Sequence, residues 1–331
     1  MILPIFAEMN ANKQQIILAP LHGFTDYLFR NVYAQHFNGI DLAISPFISL
    51  LPGDKINPVR VKDLFHENNH SLAVVPQILG NDPRLFINMA NYLNDMGYDE
   101  VNWNLGCPIK KIAHKKRGSG MLPYPELLDE LLNTIIPNIN NKLSVKIRLG
   151  YHHTKEVYKI MEVLNKYPLN NICIHPRIGI QMYEGELYHD IFKDVISQTH
   201  HTIIYNGDIN SLSDFNSIIK NYPLVNKFMI GRGIIHNPFL PQIIKNDFHL
   251  NDEDASAKFK VFIYDLKDEI LNHKKETRTL NKMKDYWQYL SLRFKYSAEV
   301  YDNIIHTNTL AELNAVTDYA FLNEPMKAWV S

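Results

Sequence analysis

Eight short apolar runs recur through the first part of the chain, most of them followed by an amphipathic helical pattern, and nothing else constrains the fold as tightly. The runs cover residues 16–20, 39–48, 71–79, 99–104, 143–150, 171–177, 202–205 and 227–230. They are apolar almost throughout, as strands buried on both faces of a parallel sheet must be. Helical patterns lie between them at 27–36, 83–97, 125–136, 158–167, 187–198, 212–221 and 238–245. Thr25 or Asp26 is placed to cap the first helix, and Asp82-Pro83 opens the second with a cap and a proline at its first position. Eight such units in about 230 residues predict an α/β chain folded as a (β/α)8 TIM barrel. From about residue 251 the strand signals stop, and helices are expected at 252–273, 279–297 and 309–319. The chain therefore divides into a catalytic barrel, 1–248, and a small helical domain, 249–331. Residues 1–14 read as a loose lead-in, and 51–69 as a polar cover at one end of the sheet.

In a barrel of this kind, chemistry gathers at the carboxyl ends of the strands. The unusual polar residues fall there: Cys107, Lys146, His175, Asn206 and Arg232. Cys107 follows the run Val101-Asn102-Trp103-Asn104-Leu105-Gly106 and precedes Pro108, which stiffens the exit. A basic loop with Lys110, Lys111, Lys115, Lys116 and Arg117 comes next, then Gly118 and Gly120. A thiol beside a cationic loop suits a reaction centre with a polyanionic partner; a buried core cysteine is the alternative. Gln77, inside an apolar strand, needs a hydrogen-bond partner, either neighbouring backbone or a ligand. Alternation along 143–149 puts Ser144, Lys146 and Arg148 on one side. Two cations there call for a structural ion pair or a bound anionic cofactor. The Gly-rich loops Asn206-Gly207-Asp208 and Gly231-Arg232-Gly233 follow the last two strands, where barrels often bind phosphate. Cys173, among isoleucines, reads as inert core.

Composition narrows the classes further. A net charge of −1 gives no global attraction to nucleic acid, so any such binding needs a local patch. The helical region offers one in Lys274, Lys275, Arg278, Lys282, Lys284, Arg293 and Lys295, unless these are ordinary solvated faces. Tyr286, Trp287 and Tyr289 are able to stack on bases, with two of the three expected in the core. Two cysteines without paired spacing argue against a disulfide framework and for a reducing compartment. No apolar run is long enough to span a bilayer, and Glu8 with no basic leader predicts no secretory signal. The histidine pairs His152-His153 and His200-His201 have no metal-ligand spacing. A cytoplasmic monomer without metal or membrane association is expected.

The ordered motifs resemble the tRNA-dihydrouridine synthases over nearly the whole chain. Ala19-Pro20-Leu21-His22-Gly23-Phe24-Thr25-Asp26 with Phe29-Arg30 is similar to that family's opening motif. Asn104-Leu105-Gly106-Cys107-Pro108 is similar to its catalytic loop. Val145-Lys146-Ile147-Arg148, His175-Pro176-Arg177, Asn206-Gly207-Asp208 and Gly231-Arg232-Gly233 follow in matching order. Leu105, Ile178 and His22 depart from the usual residues. The stretch from Lys282 to Leu290 is faintly similar to the bacterial subgroup that modifies the tRNA D-loop.

The resemblance implies FMN in the barrel mouth, reduced by NADPH, and tRNA as partner. Pro20, Leu21 and His22 would line the flavin, Gln77 and Lys146 would bond its ring edge, and His175, Asn206, Gly207, Asp208, Gly231 and Arg232 would hold the ribityl phosphate. Hydride would pass to uracil C6 while Cys107 gives a proton to C5; a free thiol, with pKa near ~8.5, is largely protonated at neutral pH. Asn104 and Arg148 would orient the uracil, with Lys110 and Lys111 on the RNA. Two other readings compete: an FMN-dependent dehydrogenase of free pyrimidines, similar to the dihydroorotate dehydrogenases, and a non-catalytic tRNA-binding folding helper.

Overall fold

The computed structural model describes residues 14–51, 53 and 56–330. The expected lead-in therefore lies, except for Gln14, outside the described residues. Ten strand segments form one parallel sheet: β1 (Gln15–Leu18), β2 (Leu42–Ile44), β3 (Ile48–Ser49), β4 (Val74–Val75), β5 (Gln77–Leu79), β6 (Glu100–Leu105), β7 (Lys142–Arg148), β8 (Ile172–His175), β9 (Ile203–Tyr205) and β10 (Lys227–Ile230). β1 pairs with β10 on one side and β2 on the other. β2 pairs with β4 and β3 with β5, and β5 continues to β6. The ten segments thus make eight staves and the sheet closes on itself.

The strands expected at 39–48 and 71–79 are each broken in two. Pro46 and Pro76 lie in the gaps, and a proline has no N–H to give to a ladder. Ser45 bridges the gap with its side chain, its Oγ accepting the Gln77 N–H at 3.1 Å. Around the sheet, helices Tyr27–His36, Pro83–Asp95, Pro125–Ile135, Glu156–Leu164, His189–Ser197 and Leu212–Asn221 follow their strands. Asp26, not Thr25, caps the first, accepting from the Phe29 N–H; the Thr25 hydroxyl instead donates to the Ala19 carbonyl at 2.9 Å. After β10 come two short helices, Arg232–His236 and Leu240–Ile244, in place of the single one expected.

The C-terminal helices share one continuous apolar core with the barrel. Helix Asp252–His273 lies on Tyr27–His36, where Phe262 meets Phe37 at 5.0 Å and Phe29 at 6.1 Å between ring centroids. Tyr286 stacks on Phe29 and donates to the Phe24 carbonyl. Trp329 fills the space between Phe239 and Phe259. The helix expected over 279–297 is Glu276–Leu290, followed by a turn at Ser291–Arg293 and a separate helix, Ser297–Ile305, that the sequence pattern did not reveal. A distant pairing causes the break: Phe294 bridges to Met326, and the Lys295 N–H donates to the Pro325 carbonyl at 2.8 Å. Helix Leu310–Asn323 runs longer than expected. Inside the barrel, Cys173 is fully buried with Ile17, Ile44 and Met229. No helix among the described residues is long and apolar enough to cross a membrane.

The shared core generates a stability test. Phe262→Ala should cost about 3–5 kcal/mol, the usual range for a buried aromatic truncation. Because Phe262 joins the barrel to the C-terminal helices, denaturant unfolding should remain one transition at a lower midpoint. A separate early transition of the helices in the wild type would show that they do not share cooperativity with the barrel.

Candidate active site

The barrel interior carries a chain of side-chain hydrogen bonds set by strand register. Gln77 stands opposite Asn102, and Asn102 opposite Ser144, so their inward side chains meet across three strands. Ser144 Oγ accepts from Asn102 Nδ2 at 3.0 Å, Asn102 Oδ1 from Gln77 Nε2 at 2.8 Å, and Gln77 Oε1 from Asn104 Nδ2 at 2.7 Å. Asn104 Oδ1 then accepts the N–H groups of Gly106 at 3.1 Å and Cys107 at 2.9 Å. Each amide in this chain has its orientation determined by the next. The last one bends the chain into the loop that presents Cys107.

The far side of that loop is also fixed. Ser119 donates to the Cys107 carbonyl through its N–H at 3.0 Å and its hydroxyl at 2.9 Å. Gly118 sits at φ +57, where a Cβ would lie 2.6 Å from the Cys107 carbonyl oxygen, so only glycine fits. The Cys107 thiol is nearly buried. Burial raises its pKa above the ordinary thiol value, against the pull of the Ile109 N–H, Arg148 and Lys146. At neutral pH it holds its proton.

Above Cys107 opens a cavity of about 330 Å³, within the usual range for small-ligand sites. Its walls come from the carboxyl ends of the strands: Ala19-Pro20-Leu21-His22 after β1, Cys107 after β6, Lys146 and Arg148 from β7, His175 from β8, and the loops 206–210 and 231–233. Lys146 forms no hydrogen bond or ion pair with any described residue, and burial lowers its pKa. Arg148 also lacks a carboxylate. It donates to the carbonyls of Gly106 at 3.1 Å and Ile178 at 2.9 Å, and burial pulls its pKa to about 10. The structural ion pair considered for these two cations is therefore not present among the described residues.

His175 is buried beside Arg148, Lys146, Arg177 and Arg232, and desolvation plus these charges hold its pKa well below the ordinary value. It is a neutral imidazole. Arg177 Nη1 lies 3.3 Å from its Nε2; a guanidinium only donates, so the ring proton sits on Nδ1. Asp208 is gripped by Arg177 and by Arg232, the latter at 3.0 Å. Burial works to raise its pKa, but the two arginines outweigh it and keep the carboxylate ionised. The cavity is thus a concave, cationic space whose one lining carboxylate is already neutralised.

Of the residues singled out in the sequence, Pro20, Leu21, His22, Asn104, Cys107, Lys146, Arg148, His175, Asn206, Gly207, Asp208, Gly231 and Arg232 all line this cavity. Gln77 does not: it is wholly buried, and its partners are the side chains of Asn102 and Asn104, neither backbone nor ligand. Lys110 and Lys111 are exposed on the short helix Lys110–Ala113 outside the cavity. In the C-terminal basic group, Lys284 donates to the Ile305 and Thr307 carbonyls, and Lys282 lies over the rings of Phe24 and Tyr286. Arg293 is buried on Trp329. These three serve the protein's own packing. Tyr286 and Trp287 are core, while Tyr289 reaches the cavity. The aromatic wall was largely missed: Phe47 stacks on His22 at 5.0 Å, and Tyr183 lies between Arg148 and Arg232, 5.3 and 5.5 Å from its ring. Phe47 lies in the break between β2 and β3 and Tyr183 in the loop eight residues past β8, so no local pattern marks either as part of the wall.

Comparison with known proteins follows this geometry. The family model described as dihydrouridine synthase matches residues 17–324. The chain is 31% identical over 235 residues to "tRNA-dihydrouridine synthase B" of Pasteurella multocida (strain Pm70), covering 71% of this chain and 70% of that one. It is 26% identical over 314 residues to "Probable tRNA-dihydrouridine synthase" of Staphylococcus aureus (strain Mu50 / ATCC 700699), covering 91% and 92%. Among solved structures, histamine dehydrogenase from Rhizobium sp. 4-9 superposes with a TM-score of 0.53 at 10% identity, over 77% of this chain and 49% of that one, a likeness of fold alone. A family model spanning almost all of the barrel and the helices that pack on it places the protein: the chain belongs to the dihydrouridine synthase family.

Proposed function

We propose that the protein reduces a uridine of tRNA, in its D-loop, to dihydrouridine, using FMN held in the barrel mouth and NADPH as reductant. The observation that carries the reading is a protonated, nearly buried thiol facing a cationic cavity with no free counter-charge among the described residues. That cavity fits an anionic, phosphorylated cofactor. Lys146 is a desolvated cation without a carboxylate partner, and such a charge is costly unless a ligand supplies the anion. Gly207 packs on Tyr205, Leu187 and Pro176, and Gly231 on Ala19 and Leu21, where a Cβ would come within 3.2–3.4 Å, so both loops run tight against the barrel mouth with their backbone at the cavity wall.

Bound FMN, reduced by NADPH, supplies the hydride for uracil C6. Lys146 provides the positive charge that an anionic reduced flavin needs. Asn206 and the backbone of Gly207 and Gly231, with Arg232, hold the phosphate-bearing chain; Asp208 acts by orienting Arg232 rather than by touching an anion. Pro20, Leu21 and His22 form the apolar side of the flavin pocket, and neutral His175 donates through Nδ1–H. Gln77 acts from behind the wall, by setting the Asn104 amide. Asn104 and Arg148 orient the uracil, and Cys107 gives its proton to C5, completing saturation of the C5–C6 bond. The thiolate left behind regains a proton from water. A stacked uridine must swing out, at a cost of a few kcal/mol. Phosphate contacts from Lys110, Lys111 and the remaining exposed cations of the C-terminal helices offset that cost.

Nucleoside mass spectrometry of uridine-containing tRNA, incubated with the protein and NADPH, tests the reaction. Wild type should form dihydrouridine, and Cys107→Ala should form it about 10²–10⁴-fold more slowly, the usual worth of a general acid. Equal rates would remove Cys107 as the donor; no product from flavin-loaded, NADPH-reducible wild type would sink the tRNA reading.

The amide chain yields a second expectation. Asn102→Leu leaves the buried Gln77 Nε2 without its acceptor and Ser144 Oγ without its donor; it should destabilise by about 1–3 kcal/mol, and it should lower kcat more than it raises KM because the Cys107 loop loses its setting. An unchanged kcat in a folded variant would show that the chain is purely structural.

Binding of tRNA should weaken with salt. Lys110→Ala should reduce the slope of log K against log salt by about one if it contacts a phosphate. An unchanged slope, measured by filter binding, would place the RNA elsewhere.

A further inference from the structure

A second, smaller cavity lies behind the phosphate loops, where the barrel meets the C-terminal helices. Its volume is about 170 Å³, and its walls include Asn210 and Ser211 after β9, His236 after β10, and Arg293, Lys327 and Trp329 from the C-terminal region. The volume is well below that of ordinary small-molecule sites, so only an ion or a very small ligand fits.

The cavity walls carry several donors and, among the described residues, no carboxylate. Arg293 is 3% exposed, and its Nη2 donates to the carbonyls of Lys327 at 2.8 Å and Ala328 at 2.7 Å. Its Nε–H is buried and has no partner. A guanidinium N–H left unpaired in a protein interior is costly, and charged donors cost more than neutral ones. Lys327 Nζ spends one donor on the Leu292 carbonyl at 2.8 Å and has two more. Ser211 Oγ accepts the Asp214 N–H at 3.1 Å, so its hydroxyl proton remains to be given. The nearby carboxylates stand outside the cavity: Asp252 accepts from the Trp329 N–H and Asp214 from the Asn210 N–H, and Asp252 offsets the Arg293 charge only from outside, where burial still lowers the Arg293 pKa to about 10. His236 records the same field. Burial, then Arg293, then Lys327 lower its pKa to about 4, against a hydrogen bond to the Leu292 backbone that takes its one N–H, so it stays neutral and adds no charge of its own.

We propose that this cavity binds a tetrahedral oxyanion, a phosphate group, held by Arg293, Lys327 and Ser211. The phosphate belongs either to a free inorganic ion or to the backbone of the RNA substrate; the chemistry recognised is the same. Asn210 lines both this cavity and the larger one, so an anion here sits against a loop that forms part of the main wall. The binding itself does not depend on the reaction proposed above.

Equilibrium dialysis of inorganic phosphate against the full chain, at constant ionic strength, tests it. Lys327→Met should weaken one saturable site by about tenfold, the worth of one charge-assisted hydrogen bond. Lys327 is exposed, so the unfolding midpoint should not change. Arg293→Lys keeps the charge and removes Nε–H, and it should weaken the same site. Arg232→Met, which alters only the main cavity, should leave that site intact. Retained binding in Lys327→Met, or loss of all phosphate binding in Arg232→Met, would overturn the proposal. Displacement of the bound phosphate by tRNA in wild type would identify the RNA backbone as the source, and persistence beside tRNA would identify a free ion; both outcomes support the site.

Discussion

The placement of Cys107 depends on one chain of buried polar side chains. Ser144, Asn102, Gln77 and Asn104 come from three adjacent strands, and each side chain fixes the orientation of the next. Its end is the pair of backbone N–H groups that Asn104 holds at Gly106 and Cys107. Such a network rigidifies only when every member is satisfied, because an unpaired polar group in a low-dielectric interior is expensive. Here every link is made, so the thiol is placed by three adjacent strands, with Gly118 and Ser119 closing the other side.

Electrostatics divides the work differently. The barrel mouth gathers Lys146, Arg148, Arg177 and Arg232 around a neutral His175, with Asp208 as counter-charge to two of the arginines. The remaining positive charge has no carboxylate partner among the described residues. A fold carries that arrangement at a cost in stability, and the proposed anionic cofactor gives it a reason. Burial acts on the two key groups in opposite senses: it makes Cys107 a weaker acid and Lys146 a stronger one. Both shifts move toward neutral side chains. The thiol's shift suits proton donation, while that of the lysine sharpens its need for an anion.

The C-terminal helices are joined to the barrel as tightly as the barrel's own layers are. Phe262, Tyr286 and Trp329 insert into the faces of Tyr27–His36 and Leu240–Ile244 or their flanks. This places Tyr289 at the cavity and spends several cations on internal contacts, which leaves a smaller basic surface for RNA than the residue count suggested. The same junction creates the small cationic cavity behind loops 206–210 and 231–233.

Much of this was legible in the residues alone. Parallel strands buried on both faces must be apolar runs, so the eight staves could be counted. Side chains alternate along a strand, so Ser144, Lys146 and Arg148 could be assigned to one face. Strand-end loops carry the polar exceptions, so most of the cavity lining could be named. What was not legible depends on register and on distant contacts. The partners of Gln77 follow from its standing opposite Asn102. The break before helix Ser297–Ile305 follows from Phe294 pairing with Met326, over thirty positions away. The exposure of a lysine or the wall made by Tyr183 is a property of neighbours, not of local pattern. The sequence by itself determined the barrel and the residue types at its mouth, because periodicity and burial are local demands. Only the tertiary structure decided which polar groups satisfy one another and which are left for a ligand, because hydrogen bonds and charges are settled by whichever atoms the closed sheet brings together.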